Sequence, residues 1–181
     1  MVWCSWGKVV VSEQGANLRQ SSNDTLVQTS KNQQLFINSL VSAAKTTGLV
    51  PSVVMAQAIL ESAWGTSQLA TQGNNLFGIK ADASWKGKTV SKQTTEFRNG
   101  KAVQETAHFR AYNTVSESIQ DYSKFFTSSP WRTQNYRAYT QAKDYQTAIA
   151  ALQKSGYATD PKYGEKLLSL IQRYGLNKFD N

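Results

Sequence analysis

Two stretches, Thr89–Arg98 and Lys101–Arg110, flank the dipeptide Asn99-Gly100 and alternate in side-chain character, whereas most of the chain from Lys31 onward repeats every three to four residues. Asn-Gly suits a type I′ turn, which needs positive φ at both central positions. Thr, Val and Phe on either side favour extended backbone. Helical segments on both sides of one hairpin make an α+β domain. A two-residue loop also fixes the register: Arg98 faces Lys101, Glu96 faces Val103, and Thr94 faces Glu105. Glu96 and Glu105 then share one face of the hairpin as diagonal neighbours.

Before the hairpin, Leu35, Phe36, Leu40, Ala43 and Ala44 mark a helix from Lys31 that Gly48 ends. Pro51 opens a second helix, at a position where its missing N–H costs little. Val54, Met55, Ala58, Ile59 and Ser62 run along it, and Gly65 is its expected end. Ser67 to Gln72 adds a short turn, and Gly73-Asn74-Asn75 reads as a loop. After Tyr112, Asn113 or Thr114 caps a helix that Pro130 is expected to break. Asp144–Lys154 and Lys162–Tyr174 read as two more. Residues 1–30 differ: Val9 to Val11 suggests a short strand and Ser21 to Asp24 a loop. The expected division is therefore an N-terminal extension or linker over 1–30 and a catalytic domain over 31–181.

Composition narrows the chemistry. The single cysteine, Cys4, allows no internal disulfide, and the single histidine, His108, allows no Cys/His metal cluster. Ser-His-Asp and Cys-His mechanisms would both need His108, which sits beside Phe109 in the alternating segment and reads as a packed or surface strand residue. No metal or other cofactor is expected. No stretch approaches the length of an apolar membrane span, so no membrane insertion is expected. Met1 to Trp6 lacks a basic start followed by an apolar run, so no signal peptide is read there. Lys and Arg number 20 against 12 Asp and Glu, a net charge of +8. The positive residues are scattered and no nucleic-acid recognition motif appears, so no nucleic acid is expected; an acidic matrix such as an anionic cell wall fits better.

Positioned carboxyl groups are the usual tools for cutting glycosidic bonds: one is kept protonated for the leaving oxygen, another acts from the opposite side. Glu61 stands near the end of the apolar run Val53 to Gly65, among Ile59, Leu60 and Trp64. Burial and the negative end of the helix dipole both disfavour its charge, as a general acid requires. No Lys or Arg follows at the i+4 position. Spacing alone leaves Glu61 open between such an acid and a solvated helix glutamate. It also leaves Glu96 and Glu105 open between a second catalytic carboxylate and ordinary strand residues paired with Lys92, Arg98 or Lys101. Aromatics including Trp64, Phe77, Trp85, Tyr112, Tyr157 and Tyr163 are candidates for a sugar groove, since sugar rings have apolar faces. Trp85 and Tyr157, beside turn residues, are the better placed.

The run Gln57-Ala58-Ile59-Leu60-Glu61-Ser62-Ala63-Trp64-Gly65, followed by Asn74-Asn75-Leu76-Phe77-Gly78-Ile79-Lys80, resembles glycoside hydrolase family 73, the glucosaminidases of bacterial autolysins and flagellar peptidoglycan hydrolases. Thr95-Glu96-Phe97, Phe109-Arg110-Ala111-Tyr112, Ser118 through Asp121-Tyr122, and Gly156 to Pro161 continue the likeness in order, over about Lys31 to Phe179. The resemblance implies a lysozyme-like fold and endo-β-N-acetylglucosaminidase activity on wall glycan. The protein is expected to act as a monomer, outside the cell at the wall or associated with a phage. It implies Glu61 as the catalytic acid and Glu96, rather than Glu105, as the second carboxylate. It places Tyr157 in the cleft, and has Asn75 and Phe77 to Ile79, with Gly78 between, form the cleft floor. Trp64 and Tyr112 join them as substrate-binding candidates. A lytic transglycosylase on a similar fold and a non-catalytic wall-binding module are the alternatives. Inverting, retaining and substrate-assisted routes all remain open. Gly15 to Gln20 faintly resembles the start of a bacterial SH3-type wall-binding repeat, over too little chain to form one.

Overall fold

The computed structural model describes residues 29–98 and 101–181. The expectations for the N-terminal extension lie outside the described residues, as does the Asn99-Gly100 turn itself. Eight α-helices are described: α1 (Lys31–Lys45), α2 (Pro51–Glu61), α3 (Gln68–Gly73), α4 (Val115–Phe125), α5 (Pro130–Asn135), α6 (Arg137–Thr140), α7 (Tyr145–Lys154) and α8 (Tyr163–Tyr174). A 3₁₀ turn, Leu176–Phe179, closes the chain, and strands β1 (Thr89–Arg98) and β2 (Lys101–Arg110) lie between α3 and α4.

The central helix is α2. Every residue from Ser52 to Ile59 is buried, so it is apolar all round rather than on one stripe. Helices α1, α7 and α8 and the 3₁₀ turn pack around it. Its N-terminus is capped from far along the chain: Asp180 Oδ1 accepts from the Ser52 N–H at 2.7 Å, and Oδ2 from the Ser52 hydroxyl at 2.8 Å. A carboxylate there meets the positive end of the helix dipole. Ser30 starts α1 through a reciprocal capping box with Gln33.

The hairpin register is the one the turn chemistry predicts: Arg98 pairs with Lys101, Glu96 with Val103, Thr94 with Glu105. Its root is fastened to the loop after α3. The Arg110 N–H donates to the Ile79 carbonyl at 2.9 Å, and Ala81 N–H to His108 at 2.9 Å. The Arg110 guanidinium then reaches both Asp121 oxygens, at 3.1 and 2.9 Å, which ties the hairpin to α4. His108 is a surface strand residue whose Nδ1 lies 3.1 Å from the Ser91 hydroxyl.

Several element boundaries differ from the sequence reading. Helix α1 ends at Lys45, before Gly48, and the expected turn over Ser67 to Gln72 is helix α3, which takes in Gly73. Helix α4 ends at Phe125, and Pro130 does not break it but opens α5 as its first residue, capped by the Ser129 hydroxyl. A proline's fixed φ serves a helix start as well as it blocks a helix interior. Helix α2 ends at Glu61 rather than Gly65, because Ala63, Trp64 and Gly65 take positive φ values of 49°, 61° and 75°. Trp64 is held in this uncommon conformation by edge contacts with Phe36 and Tyr174, at centroid distances of 6.3 and 4.8 Å. A Cβ on Gly65 would lie 2.5 Å from a Phe36 ring carbon. Gly65→Ala is therefore expected to cost about 1–3 kcal/mol, from left-handed backbone and overpacking together. Thermal unfolding checks this, and a Phe36→Leu background should recover only the steric part.

Candidate active site

The end of α2 is where the chemistry gathers. Glu61 is the last helical residue and is half-buried. Ser62, fully buried, donates its hydroxyl to the Ala58 carbonyl and accepts from the Gly65 N–H at 2.8 Å, which turns the chain sharply away and leaves the Glu61 side chain at the helix edge. The Glu61 Oε1 atom accepts a hydrogen bond from the Tyr163 hydroxyl at 2.9 Å. Desolvation raises the Glu61 pKa above the usual carboxyl value; the Tyr163 hydrogen bond and the positive charge of Lys166 act the other way without cancelling it. That balance gives a carboxyl group that holds its proton beyond the ordinary range. The countercharge absent from α2 is thus supplied by α8, where Lys166 is paired with Asp160 at 2.7 Å.

Tyr157 lies close enough to Glu61 to feel its charge. Burial holds its hydroxyl protonated, and the Glu61 carboxylate adds to that effect. Its ring leans on Tyr163, Tyr136 and Phe126 at 5.9 to 6.3 Å. The motif-derived tyrosine and the motif-derived acid, distant in sequence, therefore lie within electrostatic reach of each other.

The loop after α3 is locked by Asn75. Its side-chain amide donates to the Ile79 carbonyl at 3.0 Å and to the Arg110 carbonyl at 2.8 Å, and its oxygen accepts from the Ile79 N–H at 3.1 Å. Phe77 is buried and stacks on Tyr122, with centroids 4.0 Å apart. Its ring belongs to the core, so only its backbone is left to meet a sugar. Gly78, with φ of 64°, has no heavy atom within 4 Å of the place a Cβ would occupy. Tyr112 donates its hydroxyl to Asp121 at 2.7 Å and packs edge-on to Trp85 at the hairpin root. Trp64 is anchored between α1 and α8, as described above. The polar groups of Asn75 and Tyr112 are thus engaged within the fold, while Gly78 has open space where a Cβ would lie and Tyr157 is within electrostatic reach of the acid.

The hairpin glutamates are placed by register. Glu96 lies two pairs nearer the turn than the Thr94–Glu105 pair, which by register puts it on the same face. Glu105 is half-buried; the Glu96 side chain lies outside the described residues.

Sequence reasoning missed Gln57. It is fully buried on α2, one turn before Glu61, with its amide nitrogen 3.0 Å from the Tyr163 hydroxyl. The signal was present: a glutamine inside an otherwise apolar helix must find buried partners, and the i, i+4 spacing puts it on the face of Glu61.

A half-buried carboxyl with a raised pKa at the end of α2, in a mainly helical domain with a β-hairpin, fits a glycoside hydrolase. Residues 37–176 match the glucosaminidase family model, described as mannosyl-glycoprotein endo-beta-N-acetylglucosaminidase, and the chain belongs to that family, glycoside hydrolase family 73. The exo-glucosaminidase LytG of Bacillus subtilis is 41% identical over 153 residues, which cover 82% of this chain and 54% of LytG. A probable N-acetylmuramidase of Lactococcus lactis subsp. lactis is 41% identical over 174 residues, 90% of this chain and 38% of that protein. The catalytic domain of the autolysin Auto from Listeria monocytogenes superimposes with a TM-score of 0.74 at 41% identity, covering 83% of this chain and 89% of that one. The chain spans about half the length or less of the curated relatives it matches.

Proposed function

We propose that this protein hydrolyses the β-1,4 bond between N-acetylglucosamine and N-acetylmuramic acid in bacterial peptidoglycan, with Glu61 as the general acid. The observation that carries the reading is the Glu61 carboxyl: half-buried at the end of α2, hydrogen-bonded by Tyr163, with its pKa raised. Such a group protonates a leaving glycosidic oxygen near neutral pH. The protein acts at the cell wall as a monomer, drawn to that anionic matrix by its net charge of +8. Tyr157 lines the cleft beside the acid, and the backbone of Phe77, Gly78 and Ile79 forms its floor. Asn75, Trp64 and Tyr112 shape the site by holding the loop, the α2 terminus and the hairpin root. Digestion of purified sacculi by the wild type and by Glu61→Gln tests the assignment; an active variant would refute it.

Glu96 is the second carboxylate in this reading. Glu96→Gln is expected to lower the initial rate of glycan release by about 10²-fold or more, while Glu105→Gln stays close to wild type. The reverse ranking would move the role to Glu105. A fully active Glu96→Gln protein would favour a mechanism with one carboxyl, as in a lytic transglycosylase.

A second reading concerns the bond. The Lactococcus relative is named as a probable N-acetylmuramidase, which favours cleavage on the other side of the muramic acid. The new reducing-end sugar separates the two readings.

A further inference from the structure

We infer that Gln57 is a positioning residue: clamped by the Tyr122 and Tyr139 hydroxyls, it orients Tyr163 as a hydrogen-bond donor to Glu61 and so directs the catalytic proton to the other carboxyl oxygen, Oε2. The inference rests on Glu61 being the general acid and adds how its proton is placed.

The argument follows the donors and acceptors inward to outward. Tyr122 and Tyr139 are both fully buried, and both donate to the Gln57 side-chain oxygen, Tyr139 at 3.2 Å. An amide oxygen has two lone pairs and takes both hydroxyls. That fixes which way the amide faces, and its NH₂ is left pointing at Tyr163 at 3.0 Å. The Tyr163 oxygen accepts that N–H, and its single proton goes to Glu61 Oε1 at 2.9 Å. An oxygen that already accepts a hydroxyl proton along that line has no room there for a proton of its own. The acid proton of Glu61 is therefore carried by Oε2, the oxygen not engaged with Tyr163. Every group in the chain from Tyr139 to Glu61 is buried or half-buried, so water does not compete to scramble the directions. Burial also keeps Tyr122, Tyr139 and Tyr163 protonated, which preserves them as donors.

A proton confined to one oxygen is ready for transfer without a preceding carboxyl rotation. The same donor stabilises the carboxylate that remains after transfer. Removing Tyr163→Glu61 donation, or freeing Tyr163 to accept from Glu61 instead, favours the protonated acid. Tyr163→Phe does the first and Gln57→Leu the second. Both changes should raise the pKa of the acid.

The test is the pH profile of kcat/KM and of kcat for release of soluble glycan from purified sacculi. Tyr163→Phe and Gln57→Leu should each move the alkaline limb up by about one pH unit, the size of one charge-assisted hydrogen bond. Each should lower kcat by about tenfold with little change in KM. The double variant should shift no further than either single one, because both act through the same bond. Gln57→Leu leaves two buried hydroxyls without their acceptor and can fail to fold; Tyr163→Phe loses one hydroxyl at the site edge and carries the test alone. A lower kcat with the limb unmoved, or additive shifts in the double variant, would overturn the inference. Glu61→Gln is assayed alongside: activity there would refute the acid itself, a different failure from an unmoved limb.

Discussion

Glu61→Gln is expected to lower the rate of wall-glycan cleavage by about 10²–10⁴-fold, the usual worth of a positioned general acid, while the protein stays folded. The amide keeps the size of the side chain and can still accept from Tyr163 through its oxygen. It has no proton to give to a leaving oxygen. The same substitution should raise thermal stability at neutral pH. The sign follows from the raised pKa of Glu61 in the fold, caused first by desolvation. The folded state binds this proton more tightly than the unfolded chain, so stability falls as pH rises from the ordinary carboxyl pKa through the raised one. Below that window both states are protonated and the glutamine has no advantage; above it the glutamine removes a half-desolvated charge. Melting curves of both proteins at acidic and neutral pH should therefore diverge as pH rises. Activity of the wild type should fall on the alkaline side as Glu61 loses its proton, and equal melting curves throughout would contradict the raised pKa.

Asn75→Ala carries the largest expected effect on stability. It deletes the bonds to the Ile79 N–H and to the Ile79 and Arg110 carbonyls at a fully buried position. The Ile79 N–H is left without its partner away from water, and buried unsatisfied groups cost about 1–3 kcal/mol each. A total near 3 kcal/mol would lower the melting temperature by about 6–12 °C for a chain of this size. Asn75→Asp should do no better, because a carboxylate can accept from Ile79 but cannot donate to the two carbonyls. Activity should fall well below the melting transition as well, since the Ile79–Arg110 link also fixes the hairpin that bears Glu96. An Asn75→Ala protein with unchanged melting temperature would show that the loop is held by other means, Phe77 stacking on Tyr122 first among them.

The hairpin register was legible because its signals are local: a two-residue turn with a known φ requirement and a side-chain period of two leave one register. The helix starts near Thr114 and Asp144 were legible for a similar reason, since each cap bonds to a backbone N–H three residues on. The end of α2 was not. Ala63 and Trp64 disfavour left-handed backbone, and only packing from α1 and α8 holds them there. Pro130 carried two opposite local meanings, and the Ser129 cap one residue earlier decides between them.

The motifs singled out Glu61, Tyr157 and Asn75, but not what each one touches. The partner of Glu61 is Tyr163, 102 residues on, and only the packing of α8 against α2 brings it near. The buried hydroxyls that close on Gln57 come from α4 and α6, again invisible to spacing. Reading Glu61 against its own helix suggested an acid without a countercharge. The fold instead gives it Tyr163 and Lys166 from one turn of α8, which moderates the burial effect without abolishing it.

The central claim is tested most directly by the sugar left at the cut. Sacculi digested with the wild-type protein are reduced with borohydride and the fragments weighed by mass spectrometry. The account predicts new fragments ending in reduced N-acetylglucosamine, and none above background with Glu61→Gln. Fragments ending in reduced N-acetylmuramic acid or in a 1,6-anhydro sugar, or unchanged release by Glu61→Gln, would contradict it.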